Sequence, residues 1–192
     1  MTLKIALPIV ALALLTASPA LAAEKFADCT VAERDTPTLD RAKLPDARFR
    51  MVVSNIGFER GPNGEEIRLM LAHGEERATL SDDVLLTVRL GGCEQYLNAY
   101  EFQFAGDGTP LNDNEYWLSK ASGLITEVAP ANRDRAVRLP DLSAALALAA
   151  KTSRDDLTKG LEGNLDQTSR YVLSLSRQGS TTVLTVGYFI AM

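Results

Sequence analysis

Two cysteines, Cys29 and Cys93, and a single histidine, His73, are the side chains best suited to nucleophilic chemistry in this 192-residue chain. Cys93 lies in Arg89-Leu90-Gly91-Gly92-Cys93-Glu94-Gln95-Tyr96. A cysteine nucleophile needs an imidazole within about 3 Å to take its proton, and usually a third group to orient that base. His73 ends an apolar run just before Gly74, a setting typical of a turn, and no cysteine-protease signature surrounds Cys93. An even number of cysteines in an exported chain is ordinarily spent on disulfides. A Cys29–Cys93 cross-link is therefore expected, tying a polar, proline-containing N-terminal segment to the body of the fold. The chain-entropy model values so long a loop closure at roughly 4 kcal/mol.

Other catalytic sets fare worse. No Gly-x-Ser-x-Gly elbow is present, and one histidine would have to serve any triad. One histidine and two oxidised cysteines fall short of the usual three zinc ligands. Neither the dinucleotide-binding glycine pattern nor the P-loop occurs. The adjacent acids Asp82-Asp83 and Asp155-Asp156 read as helix entries or turns. A carboxylate-dependent hydrolase, which needs two carboxyls about 5–10 Å apart across a cleft, ranks last among the functional readings. Asp107, Asp113 and Glu115 lie in an oxygen-rich loop and are weak calcium candidates. Their spacing misses the EF-hand pattern, and a turn plus helix cap accounts for the same residues. No metal or cofactor is expected.

The N-terminus places Lys4 before an apolar run from Ile5 to Leu15, with Ala20-Leu21-Ala22 following. That run would rise only about 16 Å as a helix, against a hydrocarbon core of about 30 Å. Residues 1–22 thus read as a secretory signal peptide, and 23–192 as a single exported domain, periplasmic or secreted, with no stable membrane insertion after cleavage. The formal net charge is −5, and cleavage removes Lys4 without removing an acid. Such a balance lacks the basic surplus that displaces counterions from nucleic acid.

β-Branched enrichment ending at Gly57 predicts a strand at 49–57, which pairs as a hairpin with 65–73 across the turn Gly61-Pro62-Asn63-Gly64, and period-two alternation predicts another at 84–90. A further strand over 96–104, entered through Gly91-Gly92, puts Tyr96, Tyr100, Phe102 and Phe104 on one face. Spacing then turns helical: Asn112 with Glu115 resembles a capping box, Trp117 to Val128 recur at helical intervals, and Pro130 stops the run. A second helix is expected at about 140–152, and a short third in Ser153–Leu165. A hairpin around Gln178-Gly179-Ser180 closes the chain. Strands, helices, then strands predict an α+β domain: a mostly antiparallel sheet of about six strands with two or three helices packed on one side.

The aromatic stripe reads chiefly as core. Tyr96, Tyr100 and Trp117 are nonetheless the candidates for a ligand or partner surface, because tyrosine hydroxyls and the indole N–H seek polar partners. The leading functional expectation is a non-enzymatic envelope protein that binds another protein, as an inhibitor or immunity factor against an exported hydrolase. An acidic chain would suit a basic target. A small-molecule or lipid-binding module, with a pocket between sheet and helices, is the alternative.

Overall fold

The computed structural model describes residues 24–26, 36–91, 95–106, 108–153 and 155–191; side chains at 24–26, 56, 82, 95–97 and 191 are not described. The expected signal peptide, Cys29, Cys93 and Asp107 lie outside the described residues.

The chain folds as an α+β protein built on one eight-stranded sheet. The strands are β1 (Glu24–Phe26), β2 (Arg48–Arg60), β3 (Glu66–Thr79), β4 (Leu85–Leu90), β5 (Gln95–Ala105), β6 (Leu161–Asn164), β7 (Ser169–Gln178) and β8 (Thr181–Ala191). Two helices, α1 (Asn114–Val128) and α2 (Leu139–Thr152), lie between β5 and β6 in the chain. Every pairing is antiparallel except β1 with β3. β2 takes one side of β3, while β4 pairs on the other side from Gly74 to Thr79 and β1 beyond it at Arg68–Met70. From β4 the order runs through β5, β8 and β7 to β6.

Alternation explains which face is covered. Leu86, Val88 and Leu90 of β4 share a buried cluster with Tyr100 and Phe102 of β5, Leu184 and Val186 of β8, and Leu173 and Leu175 of β7. The helices contribute Trp117, Leu118, Ile125, Leu142 and Leu146 to the same cluster, so both pack on this face. Trp117 fixes the contact: its ring stacks on Phe104 at 6.0 Å between centroids, and its Nε1 donates to the Pro110 carbonyl at 2.9 Å.

Three local expectations are corrected. The N-cap of α1 is Asp113, whose carboxylate accepts from the Tyr116 N–H at 3.1 Å, rather than Asn112; aspartate is as good a cap and sits one residue closer. The expected third helix is a 3-10 turn, Leu157–Lys159, followed by the strand β6. Gly160 at φ +92° carries the chain out of helical geometry there. The sheet has eight strands rather than six, because β1 and β6 are three and four residues long and too short to show a period.

The segment before β2 is held by a carboxylate. Glu76, 1% exposed, accepts from the Thr38 N–H and Thr38 hydroxyl, both at 2.7 Å, and from the Leu39 N–H at 3.1 Å. Beyond it the Thr38 carbonyl accepts from the Arg133 N–H at 2.7 Å, and Asp40 pairs with the Arg133 guanidinium at 2.6 Å. Leu39 is thereby buried beside the connection between the two helices.

Candidate functional site

Tyr100 and Trp117 do not form a surface. Both are fully buried, because the aromatic face of β5 is the face that α1 covers. This corrects the expectation that they border a ligand or partner site. Tyr96 lies on β5, with its side chain outside the described set. Asp113 is committed to capping α1, and Glu115 is exposed in the first turn, where a negative charge complements the helix dipole. Among the described residues no group of three or more His, Cys, Asp and Glu could hold a metal ion.

The remaining chemistry-bearing residues are scattered. His73 lies on β3 opposite Val52, and its Nδ1 is buried with no hydrogen-bond partner among the described residues. Asp156 accepts from the N–H and hydroxyl of Thr158, capping the start of the 3-10 turn after α2. Asp155 accepts from the Ser153 hydroxyl at 3.0 Å.

Two surfaces carry features the fold does not itself require. The first is the arm formed by β2 and β3 where they run past Leu90, the last residue of β4. Met51, Val53 and Phe58 are 48%, 50% and 55% exposed there. A register shift between Asn55 and Gly57 brings all three to one face. Met51 pairs with Gly74, Val53 with Ala72 and Phe58 with Arg68, all even-numbered positions of β3. Unbroken alternation would put residue 58 on the opposite face from 51 and 53. The Asn55 side chain supports the bulge by accepting from the Gly57 N–H at 2.9 Å. Met51 and Val53 at alternate positions, and Phe58 beyond the exposed Asn55, thus place three half-exposed apolar side chains on one face of the arm, and exposed apolar groups gathered on one face mark interaction surfaces.

The second surface is the sheet face away from the helices, at the base of the same arm. Glu75 is 5% exposed although it lies on this face. Its Oε1 accepts from Arg50 Nε at 2.9 Å and Nη2 at 2.5 Å and pairs with Arg77 Nε at 2.9 Å. Arg89 Nε stands 3.8 Å from Oε2, and Arg89 Nη1 lies 2.6 Å from Glu101 Oε2. Gln103 donates to the other Glu101 oxygen at 2.6 Å. Register builds the cluster directly, since Arg50 is opposite Glu75 and Glu75 is opposite Arg89. Burial alone would push the Glu75 carboxyl up; the Arg50 hydrogen bond and the charges of Arg77, Arg50 and Arg89 outweigh it and hold the group below its ordinary range.

No family model, curated protein or solved structure matches this chain.

Neither surface contains a catalytic motif, yet each leaves a trace in the sequence. Arg48, Arg50, Glu75, Arg77, Arg89, Glu101 and Gln103 all alternate along their strands with residues that face the helix side of the sheet. Long charged or polar side chains on the same face of four neighbouring strands signal a solvated face with cross-strand ion pairs. For the arm, the signal is the excess length of β2 and β3 over β4: 13 and 14 residues against 6.

Proposed function

We propose that this chain is a non-enzymatic protein of the cell envelope that binds another protein, with the helix-side face of the β2–β3 arm as its docking surface. The observation that carries this reading is the bulge-assembled patch of Met51, Val53 and Phe58, each about half exposed. Burying such side chains in a partner's pocket is how a small number of residues supplies most of an interface's affinity. The outer edge of β2 carries Arg48, Arg50 and Arg60 and a bulge, features that discourage edge-to-edge strand pairing. Docking is therefore assigned to the side-chain face of the arm and not to its main chain.

The envelope location rests on the N-terminal targeting pattern, and the Cys29–Cys93 disulfide belongs to the same proposal. An inhibitor or immunity factor against an exported hydrolase fits a chain of net charge −5 facing a basic target. Two features count against the competing readings. Tyr100, Phe102 and Trp117, all fully buried, fill the space between sheet and helices where an apolar ligand would lie. The buried carboxyl of Glu75 is held low by arginines, whereas a general acid needs its pKa raised.

Co-purification from envelope extract tests the proposal. The wild-type protein is expected to retain one stoichiometric partner, and Phe58→Asp to lose it while keeping its melting temperature. Recovery of the same partner by both proteins would reject the arm as the docking surface, and recovery of the bait alone would reject protein binding.

A further inference from the structure

From the cluster at the base of the arm we infer a binding site for a small multivalent oxyanion, a phosphate or a di- or tricarboxylate, on the guanidinium groups of Arg50, Arg77 and Arg89. The inference is independent of whether the arm docks a protein, since the cluster lies on the opposite face of the sheet. Three guanidinium groups meet two carboxylates there, Glu75 and Glu101, so positive charge is in excess. Arg50 and Arg77 both reach the same oxygen of Glu75. Their like charges are thus held close together, and one carboxylate cannot neutralise both. In a chain with more acids than bases, this local surplus runs against the overall balance.

The unused hydrogen-bonding capacity points the same way. Guanidinium carries five N–H donors in a planar fork suited to carboxylate and phosphate oxygens. Arg77 contacts Glu75 through Nε, and its two Nη groups have no partner among the described residues. Arg89 directs Nη1 to Glu101 and leaves Nη2 in the same position. All three side chains are about half exposed, so their outer edges can be reached from solvent.

The floor beneath them is low and shielded. Thr87, between Arg77 and Glu101 in the cross-strand register, is only 2% exposed although both helices lie on the other face. Glu75 in this arrangement is the fixed counter-charge that holds the forks in place, and the added oxyanion takes their outward-facing donors.

Isothermal titration of the mature protein with inorganic phosphate, and separately with citrate, tests this against chloride at matched ionic strength. Saturable binding at one site is expected for at least one of the two anions, and the comparison distinguishes phosphate from polycarboxylate chemistry. Arg77→Gln should weaken that binding roughly tenfold or more, and Arg77→Lys should restore part of it, since the charge returns without the fork. Arg138→Gln, which removes a guanidinium paired with Asp166 and Asp141 elsewhere on the surface, should leave it unchanged. Arg77 is half exposed, and its variants should keep the wild-type circular dichroism; if Arg77→Gln does not fold, Arg89→Gln takes its place with the same expected loss. Heats equal to those of chloride for both anions, or equal loss in the Arg77→Gln and Arg138→Gln variants, would overturn the inference.

Discussion

Glu76 and Thr38, separated by 38 positions in the chain, are joined by two hydrogen bonds of 2.7 Å into one carboxylate oxygen. A buried carboxylate is costly unless its lone pairs are filled, and here the backbone of Thr38 and Leu39 fills them. The contact fastens the segment before β2 to the sheet independently of any cross-link. Glu76→Ala leaves two backbone N–H groups without an acceptor, and unfolding in urea should reveal a loss of about 3 kcal/mol. Glu76→Gln keeps one acceptor oxygen and should lose less.

The ion pairs of Glu75 set an acid limit on stability. Its folded pKa lies below the ordinary value of 4.5, so the unfolded chain takes up the proton first as the pH falls. The stabilisation is complete above the ordinary carboxylate range and is lost as the pH drops through the lowered value. Asp166 acts in the same direction: hydrogen bonds from the backbone N–H groups of Thr168 and Ser169 hold its carboxyl at about 2. Melting temperature should therefore fall with acidification below the ordinary range, and Glu75→Gln should show a shallower fall from a lower starting point.

Asp113 is a helix cap, its carboxylate accepting from the Tyr116 N–H. Asp113→Ala should destabilise the protein by about 1 kcal/mol. Millimolar calcium should leave the melting temperatures of both wild type and variant unchanged. A calcium-dependent rise confined to the wild type would return Asp113 to the role of a ligand.

If Cys29 and Cys93 pair, protein taken from its native compartment carries no alkylatable thiol until it is reduced. Intact mass after alkylation, of reduced and unreduced samples side by side, reads this directly. Reduction should lower stability by roughly 4 kcal/mol in the chain-entropy account. Two thiols modified before reduction would dismiss the cross-link.

The elements that carry most of the core were legible in the sequence because their periods are long and regular. The alternation from Leu86 to Leu90 and from Tyr100 to Phe104 marked both the strands and the face they bury. Asp113 was missed as the cap because Asn112 has Glu115 three residues on, the capping-box spacing, whereas Asp113 has Tyr116 there. The arm was harder to read: the bulge at Asn55–Gly57 reverses the alternation midway, so Phe58 counts as facing away from Met51 and Val53 until the register is known. Glu75 and its arginines form no motif along the chain, because their proximity comes from strand pairing and not from spacing along one segment.

The docking account stands or falls on what touches the arm in the living envelope. A photo-crosslinking amino acid placed at position 53 or 58, in the full chain in its native host, captures whatever protein makes that contact, whether or not its identity is suspected. One discrete cross-linked protein from both positions, absent when the probe replaces Glu162 on the strand at the far edge of the sheet, is the expected result. No adduct at 53 and 58, or the same products from all three positions, would contradict it.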